Sequence, residues 1–427
     1  MAAAAPEERR WLRAPEERRW RREPEEEEEA ADWAWSWGAG TDGQLGNGGF
    51  DDHHLPRPLL LPTRCRGRVS FVAGGGAHAI ALTSDGEVFA WGRGTHGQLG
   101  HGNLDNIPHP KLVKFLENHT ITCVSAGWNH SGFAADSGQL FMCGDGSFGQ
   151  LGTGDNLSRN FPFEVAYFNA RHIEKLAFGM RHSLVLLKDD TVLFFSDNSV
   201  YGFGSTRRGQ VGKCVSRNQK TYNVPRLIDD FPNCKIVNIY ANGDHSAALD
   251  ESGHLYIWGR ALIGEDDDDQ PRRILPSSSV SQVALGWHHA LVLSAGELYT
   301  LGVYRHQKCD LPGLGNVSGQ QSNTRATSSS RDHSSSLSML ETVPFIDGEQ
   351  VVQIASGTEH SALVTDKGTI FTWGWGEHGQ LGLGDTSDHV APQRVDIGDN
   401  GQRTSGSLAV YCGSGFTIAV KSPVVDV

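Results

Sequence analysis

A repeated unit with half a copy missing at each end is the feature that most constrains how this chain can fold. The most complete unit, residues 351–385, contains Gly-x-x-His, an apolar run, an Asp-Lys-Gly turn, a second apolar run ending in Trp-Gly, and Gly-Gln-Leu-Gly. The first Trp-Gly, at Trp37, has no histidine half before it, and the last histidine-type half, ending at Val420, has no Trp-Gly after it. A closed ring joins these complementary halves, whereas an open solenoid would leave bare strand edges.

The number of copies predicts the number of blades. The histidine position is filled by His78, His130, His182, His245, His289, His360 and Phe416. In the Trp-Gly motif, the position before the glycine is filled by Trp37, Trp91, Cys143, Phe203, Trp258, Leu301 and Trp373. Two short β-prone runs around a turn, repeated about every 50 residues, are typical of a propeller. We therefore predict an all-β fold, a seven-bladed β-propeller closed by pairing of the N- and C-terminal strands, in which residues 33–37 supply an outer strand of the last blade.

Local composition divides the chain around this ring. Residues 1–30 repeat Ala-Pro-Glu-Glu-Arg-Arg-Trp and include a run of glutamates, which predicts a disordered, charged N-terminal arm. A helical, partner-binding arm is the alternative. The propeller is expected over residues 31–421, with a serine-rich loop insert at 304–340, and residues 422–427 form a short tail.

Bulk composition disfavours several functions. A net charge of −13 disfavours direct DNA binding. The seven cysteines contain no Cys-x-x-Cys pair, which favours buried thiols in a reducing compartment over a zinc site or a disulfide framework. No apolar run reaches the ~18 residues of a membrane span, and the N-terminus lacks an apolar signal region. We expect a cytoplasmic and/or nuclear protein with no membrane span and no bound metal.

The sequence contains no arrangement typical of an enzyme active site. There is no Ser/His/Asp set, phosphate-binding loop or spaced cluster of metal ligands, so we expect no catalytic residues and no cofactor. The six repeated histidines are predicted to be structural, because a buried histidine at the same place in each blade must bond neighbouring groups. We expect each to bond neighbouring backbone and to hold the blades together. Phe416 supports this interpretation, since one blade functions without the imidazole.

The residues that vary between copies are more informative about function. Two residues precede each histidine, and they differ in every copy, so the repeat itself does not require them. These pairs are Gly76-Ala77, Trp128-Asn129, Met180-Arg181, Gly243-Asp244, Trp287-His288, Thr358-Glu359 and Ser414-Gly415. Aromatic and arginine side chains among them are the residue types that dominate protein–protein interfaces.

The combined marks resemble those of the regulator-of-chromosome-condensation repeat family. Gly-x-x-His, an Asp-x-Gly-type turn, Trp-Gly and Gly-Gln-Leu-Gly stand in phase over about residues 33–420. In that family the variable pairs lie on one face of the disc, around the central channel. The resemblance therefore implies a partner-binding rim made by Trp128, Asn129, Met180, Arg181, Asp244, Trp287, His288 and Glu359.

The fold of that family hosts several functions, and two of them match residues here. A propeller with such a rim and no catalytic set is a protein-interaction scaffold. Asp244 and His288 resemble the acidic and double-histidine marks of a Ran exchange factor, which implies a guanine nucleotide exchange factor or regulator with a Ran- or Rab-type small GTPase as partner. The alternative is an ultraviolet-B photoreceptor-like signalling protein, because Trp128 and Trp287 lie in segments similar to its Gly-Trp-Arg-His repeats. Met180 interrupts that tryptophan series.

Overall fold

Seven β-sheets arranged as the blades of a closed propeller make up the protein. The computed structural model describes residues 11–12, 30–61, 68–169, 171–188, 199–214, 218–232, 234–262, 266–274, 279–302, 340–343, 348–398 and 406–423. Each blade is a sheet of four antiparallel strands. This confirms the predicted all-β, seven-bladed propeller.

The strands follow the repeat marks closely. Within the described residues they are β1 (Trp11–Leu12), β2 (Ala30–Gly38), β3 (His53–Leu60), β4 (Val69–Gly74), β5 (His78–Thr83), β6 (Val88–Gly92), β7 (Ile107–Leu112), β8 (Ile121–Ala126), β9 (His130–Ala135), β10 (Leu140–Gly144), β11 (Ser158–Glu164), β12 (Ile173–Phe178), β13 (His182–Leu187), β14 (Val200–Ser205), β15 (Thr221–Ile228), β16 (Ile236–Asn242), β17 (His245–Asp250), β18 (Leu255–Gly259), β19 (Asp268–Ile274), β20 (Val280–Leu285), β21 (His289–Ser294), β22 (Glu297–Gly302), β23 (Leu340–Thr342), β24 (Val351–Ser356), β25 (His360–Thr365), β26 (Ile370–Gly374), β27 (His389–Val395), β28 (Gly406–Cys412) and β29 (Phe416–Pro423). Two short 3₁₀ helices, Lys114–Leu116 and Ala166–Phe168, follow β7 and β11.

Six blades use consecutive strands and the seventh uses both ends of the chain. Blades 1 to 6 contain β4–β7, β8–β11, β12–β15, β16–β19, β20–β23 and β24–β27, each counted from the central channel outwards. Blade 7 has the order β28-β29-β2-β3, and Trp37 of β2 lies opposite Thr417 of β29. The N-terminal part therefore supplies two outer strands of this blade, β2 and β3, where the sequence predicted only residues 33–37.

The hydrophobic core lies between adjacent blades. Along β5 and β13 every residue is buried, because each of these second strands is covered on both faces by neighbouring sheets. Leu291 of blade 5 belongs to the same cluster of buried side chains as Leu363 and Trp373 of blade 6. The ring is thus held together by apolar contacts at successive blade junctions.

The outer strands are protected against pairing with other chains. Six of the seven contain proline, which has no amide proton to donate to a further strand: Pro58, Pro110, Pro162, Pro225, Pro271 and Pro392. One extra strand is nevertheless present. β1 pairs in parallel with Ser158 and Arg159 of β11, before the proline of that strand.

The remaining boundaries of the predicted domains fall largely outside the described residues. This applies to the N-terminal arm apart from β1 and Ala30, to the serine-rich insert apart from Leu340, and to residues 424–427 of the tail. The described ring begins with β2 at Ala30 and ends with β29 at Pro423.

Candidate partner-binding face

Two sets of loops share one face of the propeller. The Gly-x-x-His loops join first to second strands, and the Gly-Gln-Leu-Gly loops join third to fourth strands. Because consecutive strands are antiparallel, both sets emerge on the same side of each blade that has them; blades 4 and 5 have no Gly-Gln-Leu-Gly motif. Backbone hydrogen bonds link them: Asp145 N–H donates to Asn129 O at 2.8 Å, and Ser205 N–H donates to Arg181 O at 2.8 Å. The predicted rim residues therefore lie on one face together with the glutamine loops.

Each motif histidine except His245 bonds a hydroxyl group of the next blade. Nε2 of His182 lies 2.9 Å from Ser246 Oγ, which in turn donates to Gln210 O at 2.7 Å. The same histidine–hydroxyl contact joins His78 to Ser131, His130 to Ser183, His289 to Ser361 and His360 to Thr417. The acceptor is thus a hydroxyl group, where the sequence interpretation expected backbone.

These contacts fix the protonation state of the imidazoles. The single hydroxyl proton of Ser246 goes to the Gln210 carbonyl, so Nε2 of His182 must carry a proton and Nδ1 must be bare. Burial lowers the pKa of His78, His182 and His289 to about 3 and that of His130 and His360 to about 4. A charged imidazole would bury an Nδ1–H, and Nδ1 of His182 has no hydrogen-bond partner among the described residues. The histidines are therefore neutral and suited to a structural role.

Two blade junctions lack the hydroxyl group and differ accordingly. Ala290 occupies the hydroxyl position after His245, and His245 instead lies with Nδ1 2.8 Å from Arg260 O and Nε2 2.6 Å from Trp287 O. Ala79 occupies it after Phe416, which needs no hydrogen-bond partner. The histidine–hydroxyl hydrogen bond between two blades thus depends on the residue that faces the histidine position from the next blade.

The glycine of Gly-x-x-His makes room for the ring. A Cβ on Gly179 would lie 2.2 Å from Cε1 of His182, and Gly127 and Gly357 are equally tight against their own histidines. Blade 4 has Asn242 at this position, and there the histidine has moved away to carbonyl groups. The motif glycines are therefore packing positions.

Two rim tryptophans meet over the centre of the face. Trp128 of blade 2 and Trp287 of blade 5 have ring centroids 5.2 Å apart and an interplanar angle of 33°. Blades 2 and 5 are as far apart as two blades can be in a seven-membered ring, so the side chains must reach across the channel axis. Both are partly exposed, and Nε1 of Trp287 is buried without a partner among the described residues.

Glycines in the preceding blades allow this approach. A Cβ on Gly76 of blade 1 would lie 3.0 Å from Cδ2 of Trp128 and 2.5 Å from its carbonyl oxygen. A Cβ on Gly243 of blade 4 would lie 2.9 Å from Cδ1 of Trp287. At the first variable position, a glycine in blades 1 and 4 thus leaves space for the tryptophan of the following blade, 2 and 5 respectively.

The central channel below the tryptophan pair has a volume of about 590 Å³. Phe71, Tyr240, Tyr411, Met180 and Trp128 are among the side chains that line it. Much of its polar lining is used by the wall itself. Gln353 of blade 6 donates to Val410 O of blade 7 at 2.9 Å and accepts from Val410 N–H at 2.8 Å. Gln282 of blade 5 likewise donates to Val352 O and accepts from Ile354 N–H, both of blade 6. Amide side chains therefore hydrogen-bond adjacent blades to each other along the channel wall.

The other predicted rim residues occupy different parts of the same face. Met180 lines the channel, Arg181 stacks outward on Phe148 with Cζ 4.6 Å from the ring centroid, and Asp244 accepts from Gln210 Nε2 at 3.1 Å. His288 and Glu359, partly exposed, complete the Gly-x-x-His loops of blades 5 and 6.

The glutamine loops contribute residues that were not predicted. Phe148, which stands directly before Gly-Gln-Leu-Gly, and Gln210, which bonds Asp244, both lie on this face. Sequence could have found Phe148, because the residue before each Gly-Gln motif varies between blades just as the rim pairs do. Gln210 is the repeated glutamine of the motif and is buried, so variation does not mark it. Asn129, a predicted rim residue, accepts a hydrogen bond from Asp145 N–H through its backbone carbonyl. Its side-chain Oδ1 is buried without a partner in the described ranges.

Among the described residues, no group of three or more His, Cys, Asp or Glu side chains could hold a metal ion. No helix in the part of the chain described is long and apolar enough to cross a membrane. The fold and the face together define a propeller with aromatic and charged side chains on one side.

Comparison with known proteins identifies the family. The RCC1-like domain matches residues 33–419, so the chain belongs to the RCC1-like domain family. It is 29% identical over 363 residues to the Ultraviolet-B receptor UVR8 of Arabidopsis thaliana, covering 83% of this chain and 74% of the receptor. It is 28% identical over 403 residues to the Secretion-regulating guanine nucleotide exchange factor of Bos taurus, covering 90% of this chain and 82% of that protein.

Solved structures agree on the fold. Yeast RCC1 (Prp20), in its complex with Kap60, superposes with a TM-score of 0.72 at 22% identity and covers 92% of this chain and 89% of that one. Human WBSCR16 gives a TM-score of 0.71 at 21% identity and covers 92% of this chain and all of the other.

Proposed function

We propose that this protein is an interaction platform that acts as a guanine nucleotide exchange factor or regulator for a Ran- or Rab-type small GTPase. The observation that carries the proposal is the partly exposed Trp128–Trp287 pair at the centre of the face. Tryptophans in this setting are typical anchors of protein interfaces. Asp244, Arg181 and Glu359 place charge around them, where it can select a partner.

Similarity to a named exchange factor supports the GTPase as partner. The secretion-regulating protein of Bos taurus shares 28% identity over 90% of this chain. Exchange needs no bond chemistry, because a factor that binds the nucleotide-free GTPase more tightly than the loaded form shifts the population toward release.

Nucleotide release from purified GTPases tests the proposal. Ran- and Rab-type GTPases loaded with a fluorescent GDP are mixed with the intact chain, and release is followed by the fall in fluorescence. We expect acceleration for at least one GTPase and loss of it in the Trp128→Ala, Trp287→Ala double variant. Tyr167→Ala is the matched control, because Tyr167 is 45% exposed and lies in the 3₁₀ helix after β11, on the opposite face. Acceleration that survives the double variant would exclude this face as the exchange surface.

The ultraviolet-B photoreceptor-like function is supported by one geometric observation. Two indole rings with centroids 5.2 Å apart are close enough for their excited states to interact. The experiment is size-exclusion chromatography before and after ultraviolet-B irradiation. A light-dependent change in mass that Trp287→Phe abolishes favours this function over GTPase exchange, and an unchanged profile removes it.

A further inference from the structure

Two arginines share one aromatic ring at the junction of blades 2 and 3. Cζ of Arg181 lies 4.6 Å from the centroid of Phe148, and Cζ of Arg207 lies 5.9 Å from it. Arg181 belongs to the Gly-x-x-His loop of blade 3, while Phe148 and Arg207 belong to the glutamine loops of blades 2 and 3. Arg207 is exposed, and Arg181 and Phe148 are partly exposed. We call these three residues the arginine clamp.

The clamp differs from two neighbouring arginines on this face in having no carboxylate partner. Arg93 pairs with Asp42, and Arg208 pairs with Asp267 at 2.9 Å. In the part of the chain that the structure describes, no salt bridge is formed by Arg181 or Arg207. In a chain with a net charge of −13, two unpaired arginines side by side form a local positive patch.

Stacking leaves these guanidinium groups ready to bind an anion. A guanidinium over an aromatic face keeps its N–H donors at its edge, where they can form a two-pronged pair with a carboxylate. The ring also limits the freedom of both side chains, so less conformational entropy is lost when they bind. The clamp is therefore partly organised before a ligand arrives.

We propose that the arginine clamp binds a carboxylate-rich segment of a partner protein. This deepens the proposed function, since the clamp lies on the same face as the tryptophan pair and would fix the orientation of whatever partner docks there. It adds a site for acidic side chains beside the aromatic centre.

The surrounding backbone favours carboxylate over phosphate. A phosphate site usually adds main-chain N–H donors to its basic side chains. Here the nearby amides are already engaged: Ser147 N–H donates to Asp145 Oδ1 and Phe148 N–H to Gln150 Oε1. Arg207 N–H and Arg208 N–H donate to Ser205 Oγ and Gln210 Oε1. Asp145, in the same loop as Phe148, also repels a doubly charged group more than a singly charged one.

Direct peptide binding tests the clamp without any GTPase. The intact chain is titrated into a fluorescein-labelled oligo-glutamate peptide, and anisotropy is measured at low and at physiological salt. An oligoserine peptide and a phosphoserine peptide are run in parallel. Because the net charge of the chain repels acidic peptides, any affinity for oligo-glutamate reports a local site rather than general attraction.

Variants separate the clamp from general electrostatics. We expect Arg181→Gln and Arg207→Gln each to weaken oligo-glutamate binding by about tenfold, which is the usual effect of losing one charge-assisted hydrogen bond. Phe148→Leu should weaken it several-fold, and Arg181→Lys should restore only part of the loss because lysine lacks the planar fork. Arg226→Gln is the matched control, since Arg226 is exposed and stacks on Tyr222 at 4.7 Å in the outer strand β15, away from the face.

The outcomes keep this inference distinct from the exchange activity. Loss of peptide binding in the clamp variants, with normal binding by Arg226→Gln, supports the clamp whether or not any GTPase responds. Equal loss in Arg226→Gln, no oligo-glutamate binding by the wild type, or binding of the phosphoserine peptide alone would overturn it. Normal peptide binding by the clamp variants, checked to melt like the wild type, would also overturn it.

Discussion

The indole rings of Trp128 and Trp287 lie 5.2 Å apart although their blades stand on opposite sides of the ring. A contact across the channel axis couples blades that share no strand pairing and no common junction. Tilted aromatic pairs contribute about 0.5–1.5 kcal/mol beyond the area that they bury. The pair should therefore join the two halves of the ring energetically as well as form the centre of the face.

A double-mutant cycle measures that coupling. Trp128→Ala and Trp287→Ala should each lower the free energy of unfolding, and the double variant should lose about 0.5–1.5 kcal/mol less than the sum of the two. Unfolding in urea of the four proteins is the measurement. Trp128→Ala combined with Trp375→Ala is the control and should be additive, because the ring contact recorded for Trp375 is with His378. If the losses for Trp128→Ala and Trp287→Ala are additive, contact between the two rings does not stabilise the fold.

The buried histidines predict a loss of stability in mild acid. Desolvation holds the pKa of His182 at about 3, against 6.5 in the unfolded chain. Below pH 6.5 the unfolded state therefore binds protons that the folded state refuses, so stability is complete above that pH and falls as the pH is lowered toward 4. Each such histidine should contribute about 1 kcal/mol per pH unit in that interval.

His182→Gln isolates one share of this slope, because glutamine can donate to Ser246 but does not titrate. The free energy of unfolding is measured in urea at several values between pH 7 and pH 4. The variant should show a shallower decline than the wild type, and exposed His172→Gln should leave the slope unchanged. An identical slope for His182→Gln would show that the imidazole is not buried as a neutral group.

A hydroxyl group faces five of the six motif histidines, and its absence distinguishes the junctions of His245 and Phe416. His182→Phe alone leaves Ser246 without its imidazole donor. Ser246→Ala alone leaves the Nε2–H of His182 without an acceptor and removes one of the two donors to the Gln210 carbonyl, which keeps Nε1 of Trp258. Each should cost about 1–3 kcal/mol. The two changes together reproduce the native Phe416–Ala79 junction, so the double variant should be more stable than additivity predicts. Thermal and urea unfolding of the four proteins decide this, and strict additivity would count against the pairing.

The sequence predicted the ring well because the evidence for it was periodic. Trp37 without a preceding half-unit and Val420 without a following one predicted closure, and β2 does pair with β29. The second outer strand of blade 7, β3, was missed because it carries no repeat mark: its two prolines suit an edge and do not resemble a strand signal.

Contacts between side chains of different blades were less accessible to sequence reasoning. The rim was assigned by phase, yet phase does not say how far a side chain extends. That Trp128 and Trp287 meet over the axis depends on Gly76 and Gly243 leaving space beside them. Likewise, the partner of each histidine lies in another blade, so a hydroxyl and a carbonyl were equally compatible with the motif. His245 shows that the answer changes when the facing residue is Ala290.

Closure of the ring predicts which N-terminal deletion is tolerated. Removing residues 1–29 leaves β2 intact and should change the melting temperature little. Removing residues 1–61 deletes β2 and β3 and exposes the edge of β29, which should cause unfolding or aggregation. It also removes Trp37, whose Nε1 donates to Gln380 O at 3.0 Å across the junction with blade 6. Thermal melting with light scattering compares the two, and equal behaviour would contradict closure by these strands.

One junction of the ring is built differently and should open first. Around the channel, the N–H of the first variable residue usually donates to a carbonyl of the next blade, as in Trp128 to Gly179 at 3.2 Å and Met180 to Gly243 at 2.7 Å. In blade 4 the Gly243 N–H donates to Oδ1 of Asn242 at 2.7 Å instead. The amide nitrogen of Asn242 then donates to Leu285 O of blade 5. A side chain thus replaces the backbone link between blades 4 and 5.

Asn242→Ala removes that substitute and leaves the Gly243 N–H and the Leu285 carbonyl without their partner. We expect a loss of about 1–3 kcal/mol in stability and faster hydrogen–deuterium exchange in β16 and β20, the first strands of blades 4 and 5. Exchange in β8 and β12 should not change, because the junction of blades 2 and 3 keeps its backbone hydrogen bond. Asn103→Ala is the control, since the Asn103 amide only bonds Asp105 at the exposed surface. If exchange rises equally in every blade, or if Asn242→Ala melts like the wild type, the junction of blades 4 and 5 is not the weak point of the ring.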